Sequence, residues 1–206
     1  MAGVLIFLGS VFVVSFSGAI APGPVTATTI SLGVRQKYAG AMLAIGHGII
    51  EVPLILLIVS GAGNFLKNSI AQMIIGFAGG AVLLLMGVQM LKDARRGGYG
   101  ANNSNLNAPV IAGIVLSASN PYFLIWWITV GAKFVTKAAG FGWAVVVMFI
   151  FAHWLSDLVW FQMLSFASNK GAKIMSDRKI SVVLSICAVT LILFGGYFFF
   201  DTFTIT

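Results

Sequence analysis

Residues 17–51, SGAIAPGPVTATTISLGVRQKYAGAMLAIGHGIIE, decide how the rest of the chain is read. The segment starts inside an apolar run and breaks at Ala21-Pro22-Gly23-Pro24. It resumes with three threonines (Thr26, Thr28, Thr29), turns at Arg35-Gln36-Lys37, and enters a second apolar run carrying His47 and Glu51. The two prolines remove two backbone donors and interrupt a helical ladder. In hydrocarbon, irregular backbone survives only where protein or a watery cavity satisfies it, and ionisable side chains there mark functional sites. The stretch therefore predicts a binding site inside a membrane protein.

Composition agrees. The chain has 206 residues, 59% hydrophobic and 8% charged, and its mean hydropathy is +1.02. Ordinary soluble domains carry about 25% charged residues, so a soluble globule does not fit. The net charge of +7 invites a nucleic-acid partner. The basic residues, however, are scattered in short gaps between apolar runs and form no patch, so no nucleic acid is expected. The single cysteine, Cys187, allows no internal disulfide and no paired-thiol chemistry. Residues 1–16 lack a basic leader, which predicts a retained first helix rather than a cleaved signal.

Six apolar runs stand out: 3–21 (extended past the break to 34), 39–62, 70–91, 110–132, 139–167 and 180–200. Each is near or above the roughly 20 residues that cross about 30 Å of hydrocarbon. The polar stretch 92–109, with Gly97-Gly98-Tyr99-Gly100 and four asparagines, reads as a linker. Basic residues alternate between gaps. Arg35, Lys37, Lys92, Arg95, Arg96, Lys170, Lys173, Arg178 and Lys179 fall in gaps one, three and five. Only Lys67, Lys133 and Lys137 fall in gaps two and four. The positive-inside rule then places both termini outside a cytoplasmic (plasma) membrane.

The two halves repeat an order of features. A proline break comes first, at Pro22-Gly23-Pro24 and again at Ser119-Asn120-Pro121. A histidine and an acid four residues apart follow, as His47 with Glu51 and His153 with Asp157. The repeat is inexact: Pro53 has no counterpart at Val159, and the spacing from proline to histidine differs between halves. The expected fold is all-α and polytopic, a single membrane domain of six transmembrane helices. They form two inverted three-helix repeats (1–91 and 110–206, joined by 92–109), each with a proline-broken first helix.

Residues four apart share a helix face. A buried carboxylate must be protonated, paired or facing water. Burial and mutual attraction act in opposite senses on such pairs, so both side chains can change protonation near neutral pH. His47, Glu51, His153 and Asp157 are thus candidates for proton coupling or for binding a substrate amine. A structural ion pair is the plain alternative. Two histidines and two acids are also metal-ligand types, but no metal-binding motif is present and no metal is expected.

Beyond the first break, a new helix from Val25 to Thr28 would offer free N–H groups to an anion. Pro22, Gly23, Pro24, Val25, Thr26 and Thr28 form this candidate substrate site. Asn120 and Pro121 are its counterpart, with a simple kink as the alternative. Trp126 and Trp127 lie deep in the fourth run, where one of them could wall a cavity. Gly76 and Gly80 form a seam for close helix packing.

Ala21-Pro22-Gly23-Pro24, the segment from Gly33 to Gly46, Gly79-Gly80-Ala81-Val82-Leu83-Leu84-Leu85-Met86-Gly87 and Ser119-Asn120-Pro121 resemble the lysine exporter (LysE-type) family of amino-acid translocators, with its threonine/homoserine exporter relatives. The resemblance spans the chain. It implies export of amino acids or related small metabolites driven by an ion gradient. Tyr122 departs from it, since many relatives carry a basic residue there, and His47 with Glu51 looks like one branch of the family.

The expectation is a proton-coupled secondary exporter in the lipid bilayer, with a small-molecule solute and no cofactor. Homo-oligomerisation is left open. A heavy-metal or small-cation exporter is the alternative. A membrane-embedded enzyme is a third reading, for which the sequence offers no evident nucleophile and no catalytic residue.

Overall fold

The computed structural model describes residues 2–20, 23–61, 69–96 and 108–204, and these are all-helical apart from short turns. The helices are α1 (Ala2–Ile20), α2 (Pro24–Arg35), α3 (Ala39–Val59), α4 (Ser69–Arg96), α5 (Ala108–Ala118), α6 (Pro121–Trp126), α7 (Ala132–Phe141), α8 (Trp143–Ile174) and α9 (Asp177–Thr204). A π-helical turn, Trp127–Gly131, joins α6 to α7. Five helical stretches are long and apolar enough to cross a membrane: Ala2–Ile20, Ala39–Val59, Met73–Lys92, Trp143–Ile174 and Asp177–Thr202. The chain is a polytopic membrane protein. The remaining apolar run, 110–132, is divided among α5, α6 and the π turn, because Asn120 and Pro121 interrupt its ladder.

The first break lies where the prolines put it. Gly23 is the N-cap of α2 with extended backbone, and Pro24 takes the first turn, where its missing N–H removes nothing. At the second break the Asn120 side chain accepts a bond from the Tyr122 N–H (3.1 Å) and so caps α6. Helix α4 continues through Lys92 to Arg96, past the expected start of the linker at residue 92. The long, straight-chained residues there favour helix. The Gly- and Asn-rich stretch 97–107 lies outside the described residues, as do Ala21 and Pro22. The fifth run also divides otherwise than expected: Gly142, at φ +106°, ends α7 and starts α8.

Helices α3 and α8 are the centre of the bundle. They pack on each other, α3 also on α5 and α8 also on α1, while α4 pairs with α9. The contact of α3 with α5 is made backbone to backbone. A Cβ on Gly46 would strike the Val110 carbonyl oxygen, and one on Gly113 would strike the Leu43 carbonyl oxygen. The α4–α9 seam follows the same rule, with Gly76 against Thr202 and Gly80 against Phe199. Small residues permit this approach between apolar helices that gain little from burial in lipid.

A polar ladder on α8 holds the α2–α3 turn. The Gln162 amide donates to the Lys37 carbonyl (2.8 Å) and accepts from the Ala41 N–H (3.0 Å). Ser165 donates to the Gln36 carbonyl (3.1 Å), and Asn169 to the Gly33 carbonyl (3.2 Å). These bonds satisfy helix-end groups that have no partner within their own helix.

The α3–α5 contact predicts a graded response to added methyl groups. Gly46→Ala and Gly113→Ala should each cost about 1–3 kcal/mol by overpacking. Gly9→Ala, where a Cβ meets nothing within 4 Å, should be neutral or slightly stabilising. Thermal unfolding in detergent checks this, and equal effects at the three positions would contradict the contact.

Candidate functional site

Each histidine–acid pair sits on one face of a central helix, and the two faces meet. At about 1.5 Å per residue, His47 lies roughly 12 Å into α3 and His153 roughly 15 Å into α8. Glu51 is wholly buried, and His47, His153 and Asp157 are 7%, 4% and 5% exposed. The pairs that looked separate in sequence form one cluster. Glu51 Oε1 lies 3.1 Å from His47 Nε2 and 2.9 Å from His153 Nε2. Asp157 Oδ2 stands further back, 3.6 and 3.7 Å from the same two nitrogens. Aspartate is one methylene shorter than glutamate, so the α8 carboxylate stops short of where the α3 carboxylate reaches.

Two serines hold the far sides of the rings. His47 Nδ1 is 2.6 Å from Ser117 Oγ on α5, and His153 Nδ1 is 2.5 Å from Ser15 Oγ on α1. Proton counting then limits the states of the cluster. The single Ser117 hydroxyl proton goes to the Gly113 carbonyl (2.6 Å), so His47 Nδ1–H must be the donor to Ser117. On the inner side, two contacts to one oxygen need two protons, and a protonated Glu51 Oε1 supplies only one. At least one Nε2 therefore carries a proton. The same accounting keeps Ser117 from being an activated nucleophile, since its hydroxyl accepts from the imidazole rather than donating to it.

Aromatic rings enclose the histidines. Trp126 and Phe149 stack on His153 (centroids 5.3 and 6.0 Å), and Trp127 meets it edge-on at 4.9 Å. Phe123 and Phe161 present edges to His47 at 5.0 and 6.0 Å.

Beside the cluster lies a cavity of about 320 Å³. His47, Glu51, His153 and Asp157 form its polar wall. The start of α2 contributes Gly23, Pro24, Val25 and Thr26, and the start of α6 contributes Asn120 and Tyr122. The cavity thus brings together most of the expected site. Pro22 lies outside the described residues, and Pro121 opens α6. Thr28 does not line this cavity. It points into a second one of about 230 Å³, with Ser31, Arg35 and Gln89, where its buried hydroxyl has no partner among the described residues.

Glu51 Oε2 and Asp157 Oδ2 likewise have no hydrogen-bond partner among the described residues. Buried carboxylate oxygens without donors are costly unless something fills the role. An ammonium or a proton can do so. A metal ion is also compatible with the donor types, since ligand atoms of His47, Glu51 and Asp157 lie within 4.8 Å of one another. Two ligands at ~2.0–2.2 Å from one ion stand at most ~4.4 Å apart, and the separations of His47 Nε2 from Glu51 Oε1 (3.1 Å) and Asp157 Oδ2 (3.6 Å) fall inside that limit.

Ser15, Ser117 and the full aromatic wall were not legible beforehand. Serine in an apolar helix commonly bonds its own backbone, as Ser119 does to Val115 (2.6 Å), so its presence signals nothing. The sequence left room for one tryptophan to wall a cavity. Both Trp126 and Trp127 line it.

The family model for LysE type translocators matches residues 16–202. No curated protein and no solved structure matches the chain.

The chain contains two histidines, so nitrogen NMR of ¹⁵N-histidine-labelled protein reads both rings. His47 should show a protonated Nδ1, and Ser117→Ala should lower stability by about 1–3 kcal/mol through the orphaned N–H. An unprotonated His47 Nδ1 would contradict the proton count.

Proposed function

The chain belongs to the LysE type translocator family, a family of membrane exporters of amino acids or related compounds, and we propose that it is a proton-coupled exporter whose solute and proton meet at the His47–Glu51–His153–Asp157 cluster. One observation carries this reading: four buried ionisable groups share a cavity with the starts of two broken helices. The solute ammonium binds the unpartnered oxygens of Glu51 and Asp157. Its carboxylate faces the beginning of α2, where first-turn N–H groups and the helix dipole favour an anion, with Asn120 and Tyr122 at the start of α6 alongside. Arrival of the ammonium changes what the carboxylates must neutralise, and the protons shared with the two histidines are released or redistributed. Solute and proton thus compete for one set of oxygens, which couples their movement.

The architecture proposed for this task is two inverted repeats, α1–α4 and α5–α9, in a plasma membrane with both termini outside. Several contacts exchange in pairs as such a repeat requires. Helix α3 packs on α5 as α8 packs on α1, α3 meets α7 as α8 meets α2, and the pairs α3–α8 and α4–α9 cross the axis. The serine–histidine bonds exchange in the same way, Ser117 with His47 and Ser15 with His153. Rocking of one repeat against the other around a midplane site gives alternating access.

A second reading, export of a divalent metal or small cation, draws on the three closely placed ligand atoms of His47, Glu51 and Asp157. It requires stabilisation by the metal alone, through mass action on the folded state, with that stabilisation lost in His47→Gln.

In proteoliposomes, an inward proton gradient should accelerate amino-acid efflux. Glu51→Gln and Asp157→Asn should each reduce it about 10- to 100-fold, the worth of one charge-assisted hydrogen bond. Undiminished efflux in both variants would remove the mechanism.

A further inference from the structure

The charges of the central cavity are gathered in one place. His47, Glu51 and Asp157 present ligand atoms within 4.8 Å of one another, so together they serve one ammonium. Among the described residues no lysine or arginine lines the cavity. A second ammonium at the end of a solute side chain would leave both carboxylates of the described lining behind, and an acidic side chain would find no counter-charge among the described residues.

Ser15 and the polar side chains at the starts of α2 and α6 (Thr26, Asn120, Tyr122) also line the cavity, and the largest part of what remains of the wall is aromatic. Successive residues of an α-helix point about 100° apart, yet Trp126 and Trp127 both line the cavity. The π-helical turn starts at Trp127, and such turns often occur at functional positions. The two indoles meet edge-on with centroids 5.3 Å apart. Glycines make room for both. A Cβ on Gly18 of α1 would come within 3.2 Å of Trp126 Nε1, and one on Gly131 would strike the Trp127 ring. Trp127 is wholly buried and supports the wall, whereas Trp126 is only partly buried. Phe194 enters from α9 and Phe123 from α6. At about 320 Å³ the space is at the lower end of small-ligand pockets, enough for one small solute.

Resting on the amino-acid reading above, we propose that the site takes neutral α-amino acids with large apolar or aromatic side chains. The side chain lies against Trp126, Phe123 and Phe194, and the ammonium lies on the acid cluster. Each buried methylene adds about fourfold in affinity, so discrimination against small side chains accumulates along the wall. A charged side-chain end loses its water on this wall without gaining a counter-charge.

The test is ligand binding to purified full-length protein, by calorimetry, with phenylalanine, leucine, alanine, threonine, lysine, glutamate and phenethylamine. Phenylalanine and leucine should bind at least about tenfold tighter than alanine. Threonine, lysine and glutamate should bind no better than alanine. Phenethylamine, which lacks the carboxylate, should bind more weakly than phenylalanine. Phe194→Trp fills the wall from α9, where Phe194 makes no ring contact with the histidines, and should lower the phenylalanine-to-alanine affinity ratio about tenfold. Phe194→Ala, a second variant should the first not fold, should lower the same ratio by removing wall. Lysine, threonine or glutamate binding as tightly as leucine would overturn the proposal and leave the exporter reading standing. So would a ratio unmoved in both variants. Phenethylamine binding as tightly as phenylalanine would overturn the zwitterion and point to organic amines. Binding by no amino acid of any class would overturn the amino-acid reading itself, and this proposal with it.

Discussion

One carboxylate oxygen shared by two histidines is the constraint on which the rest of the structure depends. Glu51 Oε1 sits between His47 Nε2 and His153 Nε2, with Asp157 just beyond hydrogen-bond reach of both. Away from water, none of these groups is stable alone. Together they require α3 and α8 to face one another at this depth and in this rotation. Ser15 and Ser117 then fix the outer nitrogens, which places α1 against α8 and α5 against α3. A polar cluster in an apolar bundle is an expensive way to bring helices together. It specifies their arrangement where apolar surface, equally at home in lipid, does not.

The surrounding packing serves that cluster. Glycines allow α3 and α5 to touch backbone to backbone, so Ser117 can reach His47. The breaks in the first and fourth apolar runs lie beside the cavity. The aspartate on α8, shorter than the glutamate on α3, leaves one carboxylate less engaged than the other. The two acids therefore have different work open to them, although they occupy matching places. Polar side chains on α8 hold the α2–α3 turn, which keeps the start of α2 aimed at the site.

The breaks and the two histidine–acid pairs were legible in sequence because their signals are local. Proline beside glycine or asparagine breaks the ladder at both sites, whereas Pro53 alone is carried inside α3, and residues four apart share a face whatever the tertiary context. That the pairs merge into one cluster depends on how α3 and α8 rotate against each other, and no single helix records that. The division of the threonines follows from helix geometry. Thr26 and Thr28 lie about 200° apart on a helix, so one cavity was never going to hold both, and Thr28 faces the other. The π turn, where Gly131 lies directly against the Trp127 ring, carries no residue signal of its own. The end of α4 lies beyond its expected limit because Lys92 to Arg96 is polar but still helix-forming. Polarity there does not mark the end of the helix.

The central claim is that solute and proton share the carboxylates of this cluster. Proton exchange on ligand binding tests it most directly. Weakly buffered purified protein is titrated with a saturating amino acid while pH is recorded, in wild type and in Glu51→Gln. The account predicts proton release from wild type that varies with starting pH and is abolished or strongly reduced in the variant. Saturable amino-acid binding with no proton exchange at any pH from about 5 to 9, the range in which histidine-linked protons move, would contradict it.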